Sequence, residues 1–396
     1  MRKQILCLST SNYHPIPTRK QNIMNRLTDC DIIYVDPPVT YIAPLKDPKA
    51  KTRIKAWKAA PERIREGLWV YANKPVLPLA NKNRAINEIN QKKLAKYYAR
   101  ICKDHGFGED LTVWCYHPQC VDLLAPLAKE LGIPSAKLWK QTVYDCVDRH
   151  SAYPGLIDRE TVDAMEEDLA RSCGICFATA EGLYETLKGY NDNTYLIPNG
   201  ANFDLFNKVE VLRNKLYENG EKDAETVRKR PVMGFVGMVQ ECTDQKCLRA
   251  AADAYPEGRL VVVGRRLPGV DISLLRAPNI ELMDPVPQDS LPELMKSFDV
   301  CLNCFADNDL SKDVSPLKFY EYLATGVPVV STPVPLQVRD YADSIYIASG
   351  PEDFAEKVAE ALAEEPGSEK EQKRIYYAGK CSWDERIKSI REKIGL

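Results

Sequence analysis

Residues 313–333 read DVSPLKFYEYLATGVPVVSTP. Ser315 followed by Pro316 predicts a helix N-cap and a proline at the first helical position. Gly326 ends that helix, and VPVVS (327–331) enters a buried strand. Leu317, Tyr320 and Ala324 form an apolar stripe, and Lys318, Glu321 and Thr325 a polar stripe beside it, with Asp313 in the preceding loop. A helix–strand joint needs only the apolar stripe and the glycine, so the polar residues call for another purpose. The unsatisfied amides of the helix start, together with Lys318, suit a diphosphate. Glu321, one turn deeper, suits the two hydroxyls of a ribose. The competing reading is a plain i,i+3 pair of Lys318 and Glu321 on a wet face.

Moving outward, helix and strand alternate through the whole chain. Strands are predicted at 3–9, 31–35, 111–116, 142–146, 174–179 and 194–198, with helices near 18–28, 84–104, 119–131, 160–171 and 181–188. Residues 207–230 are highly charged and lack a strand signal, which reads as a helix and linker. The alternation restarts with strands at 232–237, 259–264, 279–283, 299–305, 327–331 and 344–348 and helices near 244–254, 289–297, 316–325 and 352–364. A last helix, about 382–394, opens on Ser382 with Glu385 three residues on. The expected fold is α/β, with two doubly wound Rossmann-like domains facing a cleft. Residues 1–206 form the first domain, 207–230 the linker and 231–380 the second. Residues 381–396 form a helix that returns to the first domain.

Composition narrows the class. The 396 residues are 44% hydrophobic and 28% charged, as in a globular protein, and the net charge is −2. There is no apolar run long enough to span a bilayer, and the apolar stretch after MRKQ is too short for a signal peptide. Thirteen cysteines without an export signal point to a reducing cytoplasm. Cys173/Cys176 and Cys301/Cys304 are C-x-x-C pairs in strand-like runs, where residues i and i+3 face opposite sides, so no metal is expected. Charge is uneven: residues 46–103 hold sixteen Lys/Arg against four acids, interleaved with Trp57, Trp69, Tyr71, Tyr97 and Tyr98. That block reads either as a solvated helical surface or as a patch for an anionic membrane or lipid-linked phosphate. The chain's pI of 6.2 argues against nucleic acid.

SPLKFYEYLATGVPVVSTP (315–333) resembles the signature of GT-B fold glycosyltransferases, in which two acids flank the sugar-nucleotide site. The usual spacing is Glu, seven residues, Glu; here Asp313 and Glu321 stand at those places, so the first acid is shortened. VYDCVDRHSAY (143–153), EEDLARSCGICFATAEGLYETL (166–187) and YLIPNGANFDLF (195–206) are similar to the acceptor half of bacterial glycosyltransferases of the teichuronic-acid type. FVG (235–237), VVVG (261–264) and residues 279–305 follow the nucleotide domain in order. The resemblance covers most of the chain and is weakest over 40–105.

It implies a metal-independent enzyme that moves a sugar from a nucleoside diphosphate, UDP by expectation, to a glycan or polyprenyl-phosphate-linked acceptor at the inner membrane face. Ser315, Pro316, Leu317, Lys318, Asp313 and Glu321 would hold the donor. The family often places an arginine and a lysine after FVG, but FVGMVQECTDQK offers only Lys246, with Arg265 and Arg266 as substitutes. Val286 would supply a backbone contact to the base. An inverting transfer needs a base from the first domain. Asp148 is the leading candidate, followed by His117 and Asp145, and a retaining transfer needs none. Arg19 and Lys20 would reach the acceptor. The shortened Asp313 and the missing arginine keep two rivals open: a sugar-nucleotide epimerase of the same fold and a non-catalytic nucleotide-sugar-binding protein.

Overall fold

The computed structural model describes residues 2–48, 50–153 and 155–396. The chain separates into two compact units. One runs to Ile197 and includes Ile390–Leu396; the other is Pro198–Ser389.

The first unit is built on eight strands: β1 (Lys3–Leu8), β2 (Cys30–Val35), β3 (Glu62–Arg65), β4 (Leu68–Tyr71), β5 (Leu111–Cys115), β6 (Thr142–Cys146), β7 (Ile175–Ala178) and β8 (Thr194–Leu196). Their order is β3-β4-β2-β1-β5-β6-β7-β8. All neighbours are parallel except β3 and β4. The chain winds one way from β1 to β2 and the other way from β5, so the order reverses between β1 and β5. Helices Arg84–Asp104, Val121–Leu131 and Arg159–Ser172 cover one face, where Leu6, Val113, Leu123, Leu127 and Met165 are fully buried.

The β3–β4 hairpin departs from the helical surface expected within the basic block. Its turn uses Gly67 at φ +74, where a Cβ would stand 2.7 Å from the Cys30 carbonyl oxygen, so only glycine fits. Arg65 of β3 caps helix Arg19–Arg26 by donating to the carbonyls of Met24 and Leu27 at 3.0 and 2.9 Å.

The second unit holds β9 (Val232–Val236), β10 (Arg259–Val263), β11 (Ile280–Met283), β12 (Val300–Asn303), β13 (Val329–Ser331) and β14 (Tyr346–Ile347). Their order is β11-β10-β9-β12-β13-β14, all parallel, with the reversal between β9 and β12. Each unit is therefore doubly wound, as the sequence predicts.

The expected linker is not one. Residues 208–218 and 224–229 are helical, and Val209 and Val227 are buried in the second unit's core. Apolar residues spaced among the charges pull this segment onto the second sheet, and the first unit ends at Ile197 rather than 206. Helix Trp383–Ile394 starts in the second unit, and its last residues belong to the first. Helix Glu369–Lys380 is an element the sequence reading leaves out.

The C-x-x-C argument also needs correction. Cys173 is the C-cap of a helix rather than a strand residue, which brings its Sγ 3.4 Å from that of Cys176. Among the described residues there is no group of three or more His, Cys, Asp or Glu side chains placed to hold a metal ion. No described helix is long and apolar enough to cross a membrane.

Candidate functional site

In the second unit the crevice where strand order reverses is a cavity of about 220 Å³. The ends of β9 and β12 line it through Gly237, Met238, Cys304 and Phe305, and Pro316, Leu317 and Lys318 close it from the side. Those three residues open helix Leu317–Ala324, which starts one residue later than expected. Pro316 stands at the cap, and the Ser315 hydroxyl is not a capping group. It accepts from the Asn199 amide at 3.0 Å, while Asn199 Nδ2 donates to the Ser315 carbonyl at 2.6 Å. This turn fixes where the helix begins. Tyr322 fixes the helix against the sheet: its hydroxyl accepts from Val236 N at 2.6 Å and donates to Val236 O at 3.1 Å.

On that helix Glu321 is 1% exposed. Lys318 Nζ donates to its Oε2 at 2.6 Å and Gln288 Nε2 to its Oε1 at 2.8 Å. Thr325 is also buried, so the polar stripe is not a wet face. A buried carboxylate held by two donors is costly to install unless it is fully partnered. The Leu317 and Lys318 amides, first in the helix, have no intrahelical acceptor. Together they give the cavity a positive wall: two backbone donors, the helix dipole and an ammonium.

Other predicted donor residues lie elsewhere. Asp313 is buried in the loop before the helix. Lys246 is exposed on the first turn of helix Gln245–Ala254, whose start is capped by Asp244, and it does not line the cavity. Arg265 is exposed, and Arg266 is drawn into a 2.7 Å pair with Asp284. Neither arginine reaches the cavity wall, because both follow β10 rather than the strands at the reversal. Val286 is half-buried against the second unit's core. Gln288, Tyr322 and Asn199 were not singled out from the sequence; Asn199 sits in the PNG turn and Gln288 two residues after Val286, which are the only signals for them.

In the first unit a larger cavity, about 630 Å³, sits at the reversal between β1 and β5. His117 lines it, in the loop that follows β5. Its Nδ1 accepts from the Gln119 amide at 3.1 Å, which places the proton of the neutral ring on Nε2. Burial lowers the His117 pKa to about 4. His117 is thus a neutral hydrogen-bond donor near pH 7 rather than a base. The His150 ring lies 4.6 Å away, and burial holds it neutral as well.

Asp145 is fully buried. Arg19 Nε lies 3.0 Å from each of its oxygens, and Trp114 Nε1 donates to it at 3.3 Å. Arg19 Nη1 donates in turn to the Ile197 carbonyl at 2.9 Å. Both residues are spent on the core, because β6 is covered on both faces, and neither is placed to meet a substrate. Lys20 is 8% exposed, with its ammonium 5.3 Å from the Tyr116 ring centroid. Burial lowers the Lys20 pKa, and Asp148 opposes that shift. Asp148, half-buried after β6, has its carboxyl raised by burial, with Lys20 and the Tyr153 hydroxyl opposing. Of the three candidate bases, Asp145 is taken up by Arg19 and Trp114 and His117 is held neutral by burial, which leaves Asp148 as the carboxyl for that role.

Residues 230–364 match the family described as Glycosyl transferases group 1. The chain is 25% identical over 211 residues to Bacillus subtilis (strain 168) TuaH, provisionally named a teichuronic acid biosynthesis glycosyltransferase; the match covers 50% of this chain and 51% of that protein, about half its length. Among solved structures, sucrose-phosphate synthase of Thermosynechococcus elongatus shares the fold with a TM-score of 0.68 at 14% identity, covering 99% of this chain and 98% of that one. HepE of Anabaena, solved with UDP and glucose, shares it at 0.67 and 12% identity over 100% of both chains. An α,α-trehalose-phosphate synthase (UDP-forming) of Burkholderia vietnamiensis reaches 0.69 at 11% identity, covering 100% and 98%. The match to the glycosyl transferases group 1 family falls within the second unit, and both units carry the doubly wound sheets that the GT-B resemblance implies.

Proposed function

We propose that the chain transfers a sugar from a UDP-sugar to a glycan or lipid-linked acceptor in the building of a bacterial surface polysaccharide. The observation that carries this reading is the buried Glu321 carboxylate, held by Gln288 and by Lys318, the residue of its own helix that lines the cavity. Glu321 receives the ribose hydroxyls, and Lys318 with the Leu317 and Lys318 amides receives the diphosphate, with no metal assigned to it. In the transfer the bond from the anomeric carbon to the diphosphate oxygen breaks and UDP leaves. The acceptor hydroxyl oxygen bonds to that carbon, and its proton passes to Asp148. The exposed cations Lys51, Arg53, Lys55 and Lys58 hold the first unit at an anionic membrane face, where a lipid-linked acceptor is presented.

A panel of labelled nucleoside-diphosphate sugars tests this. Slow hydrolysis or transfer of a UDP-sugar is the expected result. Isomerisation without release of UDP indicates an epimerase, and tight binding without turnover a binding protein; either overturns the proposal.

A further inference from the structure

We infer that the first unit's cavity holds the apolar chain of an anionic amphiphile, a prenyl phosphate, as part of the acceptor; this rests on the transferase reading above. The walls argue against a bare glycan. Pro37, Ile42, Leu77, Leu94, Leu156 and Ile157 dominate them. Several of the polar groups that line the cavity are already engaged with each other or with the core. Asn73 Nδ2 donates to the Tyr98 hydroxyl at 2.8 Å, Gln119 Nε2 to Asn81 Oδ1 at 2.6 Å, and Gln91 Nε2 to Asn87 Oδ1 at 3.1 Å. A sugar ring filling the apolar part of the cavity would regain few of the hydrogen bonds it loses to water, whereas an apolar chain loses none. His117 Nε2 is a donor with no acceptor among the described residues, and Thr10, Thr40 and Asp47 complete the polar lining.

The mouth has the character of a surface that meets lipid. Ile42, Leu79 and Leu156 are exposed there, as is Tyr41 next to Ile42 in the chain, and Leu45, on the short helix Ala43–Lys46 beside it, is 86% exposed. The next helix, Ala50–Ala56, exposes Lys51, Arg53 and Lys55, the complement of a phosphate-bearing amphiphile. The volume falls in the range of sites that enclose a small ligand.

The test is calorimetric titration of the whole chain with farnesyl phosphate below its micelle concentration, with inorganic phosphate as the head-group control. Farnesyl phosphate should saturate a single site and inorganic phosphate should not bind it. Ala80→Phe and Ala43→Trp, which fill the cavity from two sides, should each weaken farnesyl phosphate at least tenfold with UDP affinity and thermal midpoint unchanged. Absence of saturable binding, or binding that both filled variants keep, overturns the inference. A chain that binds UDP but not farnesyl phosphate leaves the donor reading standing; one that binds farnesyl phosphate but not UDP does the reverse.

Discussion

Lys318 Nζ and Glu321 Oε2 lie 2.6 Å apart on one helix, and the carboxylate is shut away from solvent while the ammonium is only partly so. The pair is therefore lopsided: removing the lysine strands a buried charge, whereas neutralising the glutamate leaves the lysine access to water. Glu321→Ala would confuse a binding defect with a packing defect, so Glu321→Gln is the sharper change. It should weaken UDP binding by about 1.5–3 kcal/mol, the scale for a hydrogen bond to a charged group. Calorimetry on the folded variant checks this, and unchanged UDP affinity removes Glu321 from the donor site.

Lys318→Ala should cost UDP affinity far more than uridine affinity, since the lysine acts through the diphosphate. Combined with Glu321→Gln, the two losses should fall short of adding, because the side chains are in direct contact. Equal losses for UDP and uridine would assign the lysine to the fold rather than to the ligand.

Asp145→Asn should destabilise the first unit by about 3–5 kcal/mol, because it leaves the Arg19 guanidinium buried beside a neutral group. Arg19→Met with Asp145→Leu should recover much of that loss. Urea unfolding followed by tryptophan fluorescence reads it, since Trp57, Trp69, Trp114 and Trp139 all lie in the first unit and only Trp383 in the second. If Asp145→Asn is as stable as the parent but inactive, Asp145 regains its place among the candidate bases.

His117 gives a pH dependence with a defined sign. Its folded pKa, about 4, lies below the ordinary value of 6.5, so the unfolded chain takes up the proton first and stability falls as pH drops through that window. Between pH 7 and pH 5 this one group should remove about 2 kcal/mol. His117→Asn keeps an acceptor for the Gln119 amide and should flatten the loss by that amount. A variant with the parent's pH slope would show that His117 is not the titrating group.

Replacing Lys51, Arg53, Lys55 and Lys58 with Gln should reduce co-sedimentation with anionic vesicles and leave UDP affinity intact. Each cation near such a surface contributes about 1 kcal/mol, and binding should weaken as salt rises. Binding that ignores lipid charge and salt would make the block a solvated face.

The strands buried on both faces were legible because they are continuous apolar runs between amphipathic helices, and the restart of that alternation after residues 207–230 marked two doubly wound sheets, whereas the strand order and its points of reversal came only from the structure. The hairpin Glu62–Tyr71 was not, because β3 is the edge strand ERIR, whose pattern is set by charges rather than by a core face. The Lys318–Glu321 stripe could be read from spacing, but its burial could not: Gln288, which covers it, is 33 residues away in the chain. Asp145 misled for a related reason. An acid inside TVYDC signals a buried partner, and the partner, Arg19, comes from 126 residues earlier.

That edge strand has a further consequence. An open sheet ends in a row of unpaired amides and carbonyls that can recruit another chain into fibrous association. Here the terminal position is taken by four residues with Glu62, Arg63 and Arg65 among them and a register break between Arg63 and Arg65. Charge and irregularity at that margin oppose end-to-end stacking, so this side of the eight-stranded sheet should remain protected from aggregation at high protein concentration.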